Sequence, residues 1–125
     1  MLDPSDDLHD RAVGVLRALY AEPVSFVTNE AILPEVLAMF SRRGPARRQA
    51  AVNLVRETLA DGIVECLPIS RDLLLRGISR YEQRPDKTYS LVDCISMEIC
   101  DDRGITDILT YDEDFVREGF AALLR

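Results

Sequence analysis

The sequence predicts an α/β domain: a short, mostly parallel sheet between two layers of helices. Three observations point to this class. Short β-branched runs recur at VSFVT (24–28), IVECL (63–67) and DILT (107–110). Segments of helical period, ten or more residues long, separate these runs, and that alternation is the signature of parallel strands joined by helical crossovers. Finally, 125 residues with 47% hydrophobic and 30% charged side chains can build a single core, without the high charge and low hydrophobicity of a disordered chain.

Taken in order, Ser5 can cap a first helix, with Asp6 and Asp7 in its positive first turn. Leu8, Ala12, Leu16 and Leu19 give that helix one apolar face, and Pro23 ends it. The VSFVT strand follows. Asn29 can cap the next helix, whose apolar residues are Ile32, Val36, Met39 and Phe40, with Pro34 near its first turn and Glu35 among them. RRGPARR at 42–48 breaks the pattern and opens another helix, with Ala50, Ala51, Leu54, Val55 and Leu59 on one face and Gly62 as its stop. The IVECL strand closes at Pro68. Ser70 then caps a helix reaching Arg80, and a polar connection, EQRPDKT, follows. Ser90 opens an apolar helix that ends at Gly104. The DILT strand comes next, and 121–124 can form a last edge strand.

Composition narrows the classes of function. No apolar run approaches the roughly 18 residues of a spanning helix, and the acidic N-terminal segment lacks the basic and apolar regions of a signal peptide. The chain therefore reads as soluble, cytoplasmic and without membrane contact. Cys66, Cys94 and Cys100 lie in apolar segments with no C-x-x-C and no clustered histidine, which fits free thiols better than disulfides or zinc. His9 stands alone. A net charge of −7 argues against broad electrostatic attraction to nucleic acid but leaves room for a local basic surface.

The acids carry the chemistry. Asp93 lies in the first turn of the helix opened by Ser90, in the S-x-x-D spacing of a capping box, so helix capping alone could account for it. Asp112 and Asp114 follow the DILT strand, and Glu35 follows the VSFVT strand. Ligands of parallel sheets bind beyond the carboxyl ends of the strands, and hard divalent cations are often held by one or two carboxylates together with water and substrate phosphate. The pattern points to phosphodiester chemistry. Glu98, Asp101 and Asp102 read as solvent-facing acids of the same helix. Arg42, Arg43, Arg47 and Arg48 form one basic patch, and Arg76 with Arg80 a second; either could contact RNA phosphates, although most such arginines simply face solvent. Tyr89 and Tyr111 flank two acidic motifs, where packing is the default and base stacking the alternative.

These residues resemble the PIN-domain family of metal-dependent ribonucleases, which includes the VapC toxins. S-L-V-D at 90–93 is similar to that family's third acidic motif. T-Y-D-E-D-F at 110–115, with Gly119 and Phe120 after it, is similar to the family's T-x-D-x-x-F ending. ILPEVL around Glu35 resembles the helix of the second acid, and PSDDLHDRA at 4–12 resembles the segment after the family's first strand and helix. The similarity implies one PIN-like domain over residues 1–125. The family opens with a strand ending in an Asp, and no such strand precedes Asp3, so the domain is expected to be N-terminally incomplete. The resemblance implies Mg²⁺ or Mn²⁺ held by Asp93 and Asp112, with Glu35 and Asp114 completing the set, and Glu35, Asp93 and Asp112 as the catalytic acids. It further implies an RNA substrate, a homodimer and a cognate antitoxin. The alternative is an inactive PIN-like module that binds RNA or protein without cutting.

Overall fold

The computed structural model describes residues 10, 11, 13–15, 17, 18, 21, 24–60, 62–110 and 112–124. The chain divides into two compact units, Ser25–Ile99 and a second made of Met1–Val24 with Cys100–Arg125. The elements in chain order are β1 (Phe26–Asn29), α1 (Ile32–Phe40), α2 (Pro45–Ala60), β2 (Val64–Leu67), α3 (Arg71–Glu82), α4 (Leu91–Arg103), β3 (Asp107–Ile108), α5 (Glu113–Arg117) and β4 (Ala121–Ala122). No helix among the described residues is long and apolar enough to cross a membrane.

In the larger unit β1 and β2 pair in parallel, Phe26 opposite Val64 and Asn29 opposite Leu67, with α1 and α2 between them in sequence. The expected strands thus form, each with a later start. Ile63 is 62% exposed, and β2 begins after it. Asn29 is not the residue adjoining α1: it closes β1, and its Oδ1 accepts the N–H of Ala31 at 3.0 Å, an Asx turn that leads into the helix. Pro34 falls in the first turn, where its missing N–H leaves no bond unmade. Two predicted apolar faces are only partly buried. Ala51 is buried, but Met39, Leu54 and Leu59 are 67%, 54% and 55% exposed.

Ser70 caps α3, its Oγ accepting the Leu73 N–H at 3.1 Å, and the helix runs two residues past Arg80. The core joins Leu73 on α3 to Ile95 and Ile99 on α4, with Leu67, Ile69 and Leu91 packed against it. Gly77 permits this approach, because a Cβ there would lie 2.6 Å from Ile95 Cγ1. Arg80 and Glu98 bridge the same two helices at 3.0 Å with both side chains largely covered. Glu98 is therefore an interhelical partner rather than a solvent-facing acid; Asp101 and Asp102 are exposed as expected.

In the smaller unit, residues 10, 11, 13–15, 17 and 18 are helical; Ser5, Leu8, His9, Ala12, Leu16, Leu19 and Pro23 lie outside the described residues. Gly104 ends α4 with φ +66°, the left-handed cap the sequence predicts. β3 and β4 pair in parallel, Asp107 opposite Ala121. The DILT strand keeps regular geometry for two residues only. The Thr110 N–H turns back to the Ile108 carbonyl at 2.9 Å, a three-residue γ-type turn that breaks the strand. Hydrogen bonding to the last segment nevertheless continues, Leu124 N–H donating to Thr110 O at 3.0 Å. Phe115 and Phe120 are buried and meet edge to face, centroids 6.3 Å apart.

Candidate metal centre

Two of the four sequence-predicted acids stand on one turn of the smaller unit. The Asp112 N–H donates to Thr110 Oγ1 at 3.1 Å, which turns the chain out of the strand. Asp112 then caps α5, its Oδ1 accepting the Asp114 N–H at 2.9 Å. The side chain of Asp114 is nearly covered, and its Oδ1 accepts from Arg117 Nη1 at 2.7 Å. Asp112 and Asp114 each offer a carboxylate oxygen within 4.8 Å of the other.

Asp93 and Glu35 belong to the larger unit. The capping box at the start of α4 is complete. Asp93 N–H donates to Ser90 Oγ, and Ser90 N–H to Asp93 Oδ2, both at 3.0 Å. One turn on, Ser96 Oγ accepts from Asn29 Nδ2 at 3.1 Å, tying the helix that carries Asp93 to the end of β1. Asn29 is 3% exposed. Glu35 lies exposed in the first turn of α1.

The remaining predicted residues sort by their surroundings. Arg76 pairs with Asp72 at 3.0 Å one turn away, and Arg80 is held by Glu98. Arg42, Arg43, Arg47 and Arg48 are exposed around the connection from α1 to α2. Tyr89 is buried, as the packing reading expects, and Tyr111 lies outside the described residues. Arg117 and the Asn29–Ser96 contact escaped the sequence reading. Arg117 stands three residues after Asp114, a helical ion-pair spacing that could have revealed it. Asn29 and Ser96 are 67 residues apart and left no signal.

The donor chemistry suits a hard divalent cation. Among the described residues, Asp93, Asp112 and Asp114 each commit one carboxylate oxygen to a cap or to Arg117 and keep the second free for a ligand. Oxygen-only donors select Mg²⁺ or Mn²⁺ over softer metals.

The sequence model of the PIN domain matches residues 4–120, nearly the whole chain. The chain belongs to the PIN domain family. As a PIN domain it is similar in fold to the crystal structure of Mycobacterium tuberculosis VapC20, which is described as a toxin that cleaves the Sarcin-Ricin loop. The two share 24% identity over 84% of this chain and 78% of that one, with a TM-score of 0.73. Comparison with curated proteins gives no match. The expected α/β class and PIN-like fold are thus found in this chain, with both strand pairs parallel.

Proposed function

We propose that this PIN domain is a metal-dependent endoribonuclease and the toxin of a toxin–antitoxin pair, acting in the cytoplasm as a single domain over residues 1–125. The observation that carries this reading is the state of the motif acids. Asp93 and Asp112 each sit at the start of a helix, with one oxygen locked by capping and the other available. Family membership over residues 4–120 turns that arrangement from ordinary capping towards metal ligation.

In this reading Asp93, Asp112 and Asp114 bind Mg²⁺ or Mn²⁺, and Glu35 completes the set directly or through water. Such an ion, when held there, would lower the pKa of a water and offset charge developing on the scissile phosphate. The residues do the holding. The Ser90 N–H fixes the rotamer of Asp93, the Asx turn fixes Asp112, and Arg117 orients the covered carboxylate of Asp114. Glu35, unencumbered in the first turn of α1, can accept a proton or orient a water.

A homodimer and an antitoxin complete the proposal. The exposed side chains Leu74, Leu75, Ile78 and Tyr81 of α3 offer apolar surface that a partner would cover. The alternative, an inactive RNA- or protein-binding module, draws support from the same hydrogen bonds. Capping and Arg117 already give Asp93, Asp112 and Asp114 a structural role.

The test is Mn²⁺-dependent cleavage of RNA by the full chain and by Asp93→Asn. Asparagine can still accept from Ser90 N–H, so that variant keeps the fold while losing the ligand charge. We expect cleavage by the parent and a loss of about 100-fold or more, on the order of that for removing a group central to transition-state stabilisation. Equal cleavage by both would refute the assigned centre. Metal-independent RNA binding without cleavage would favour the inactive module.

A further inference from the structure

The connection between α1 and α2 holds a concentration of positive charge that the carboxylate site does not use. Gly44, at φ +95°, lets the chain reverse within a few residues, and Pro45 starts α2. Around this turn lies an open depression of about 470 Å³ whose lining includes Ser41, Arg42, Pro45, Arg48, Gln49 and Val52. Four arginines fall within seven residues, 42–48, of a chain whose net charge is −7.

Their pairing sets them apart from the other candidate patch. Arg76 and Arg80 are each bound to a carboxylate. Among the described residues, the side chains of Arg42, Arg43 and Arg47 have no hydrogen-bond or ion-pair partner, and Arg48 gives only its Nη1, to Ser41 O at 2.8 Å. That bond places the Arg48 guanidinium over the end of α1. Unneutralised guanidinium groups beside a depression make up a polyanion site, since the planar fork of Arg matches phosphate oxygens two at a time.

We propose that this depression is an exosite for RNA, seating a backbone phosphate away from the bond that is cut; the identity of the ligand rests on the ribonuclease reading above. Glu35 lies at the start of α1 and Ser41 at its end, six residues or about 9 Å further along the helix axis. A strand that passes Glu35 would therefore bring a neighbouring nucleotide's phosphate to the arginines. RNA fits better than an acidic protein segment, because the lining offers the polar side chains of Ser41, Arg42, Arg48 and Gln49, and its apolar side chains, Pro45 and Val52, include no aromatic or long aliphatic group to anchor a peptide. Phosphate contacts of this kind set affinity and register without reading sequence.

The experiment measures binding of the full chain to a fluorescently labelled single-stranded oligoribonucleotide across a salt series, with chelator present so that nothing is cut. We expect the plot of log affinity against log salt to be shallower for Arg42→Gln/Arg43→Gln by roughly 0.7 for each phosphate that is no longer neutralised. Arg42→Lys/Arg43→Lys keeps most of the slope. Arg56→Gln/Arg71→Gln, an equal charge change outside the depression, leaves the slope unaltered. An unchanged slope in the first variant, an equal fall in the control, or no RNA binding by the parent overturns the exosite. Polyglutamate that displaces the RNA with the same dependence on Arg42 and Arg43 also overturns it, in favour of an acidic protein partner. The substituted arginines are exposed and make no side-chain bond among the described residues, so the Gln pair should keep the parent's thermal transition. Cleavage is scored separately. A chain that cuts RNA but shows no slope change sinks only the exosite; one that shows the slope change but never cuts sinks only the nuclease.

Discussion

Asp93, Asp112 and Asp114 each have a structural role in the fold, and the metal ligation proposed for them would add a second. Asp112 and Asp93 are helix-capping acids by geometry, and capping leaves each with an oxygen to spare. Asp114 differs because it is covered and takes its counter-charge from Arg117. The capping role of Asp93 was legible in the sequence from its S-x-x-D spacing, whereas Asp112 was read only as an acid following the DILT strand and its capping of α5 was not. The partner of Asp114 was not drawn from the sequence. Cys66 offers a separate test at this scale. Burial pushes its thiol above the ordinary 9.0, and the charge of Glu30 adds to the effect. The folded chain then keeps the thiol proton after the unfolded chain has released it. The thiol consequently has no effect on stability well below pH 9.0 and lowers it as pH rises through that value. Alkylation followed site by site with mass spectrometry should show a higher midpoint pH for Cys66 in the folded chain than in urea. Coincident midpoints would contradict the burial argument.

At the scale of elements, capping signals proved the most dependable guide. Ser70 and Ser90 open α3 and α4, and Gly104 closes α4, as the residue types require. Strand ends were less legible because β-branched content does not report where a ladder stops. DILT loses its last two residues to the turn at Thr110, which depends on hydrogen bonding rather than propensity. The packing of α3 on α4 was also invisible: nothing around Gly77 signals that Ile95 will lie against it. Gly77→Ala should therefore destabilise the chain despite the better helix propensity of alanine. Overpacking costs about 1–3 kcal/mol, which outweighs a propensity gain of about 1 kcal/mol. Urea denaturation gives the comparison. A midpoint equal to or above that of the parent would mean that Ile95 yields without cost.

At the scale of the whole molecule, ion binding is the decisive observable, because a ligand that binds only the folded state raises the melting temperature. Mn²⁺ at about 100 times its dissociation constant should add about 2.7 kcal/mol. Asp93→Asn and Asp112→Asn should each lose most of that gain while melting near the parent temperature without metal. Were all three proteins to shift equally, or none at all, the motif acids would be structural only. By itself the sequence determined the α/β class, the parallel pairing and most helix ends. All of these follow from periodicity, capping chemistry and the order of short motifs, which are local properties. Only the tertiary structure decided that Glu98 is consumed by Arg80, that Asn29 reaches Ser96, and that, among the described residues, Arg42 and Arg43 stay unpaired while Arg76 does not. Whether a charge is free depends on which side chains folding brings within about 4 Å, and sequence spacing does not report the proximity of distant elements.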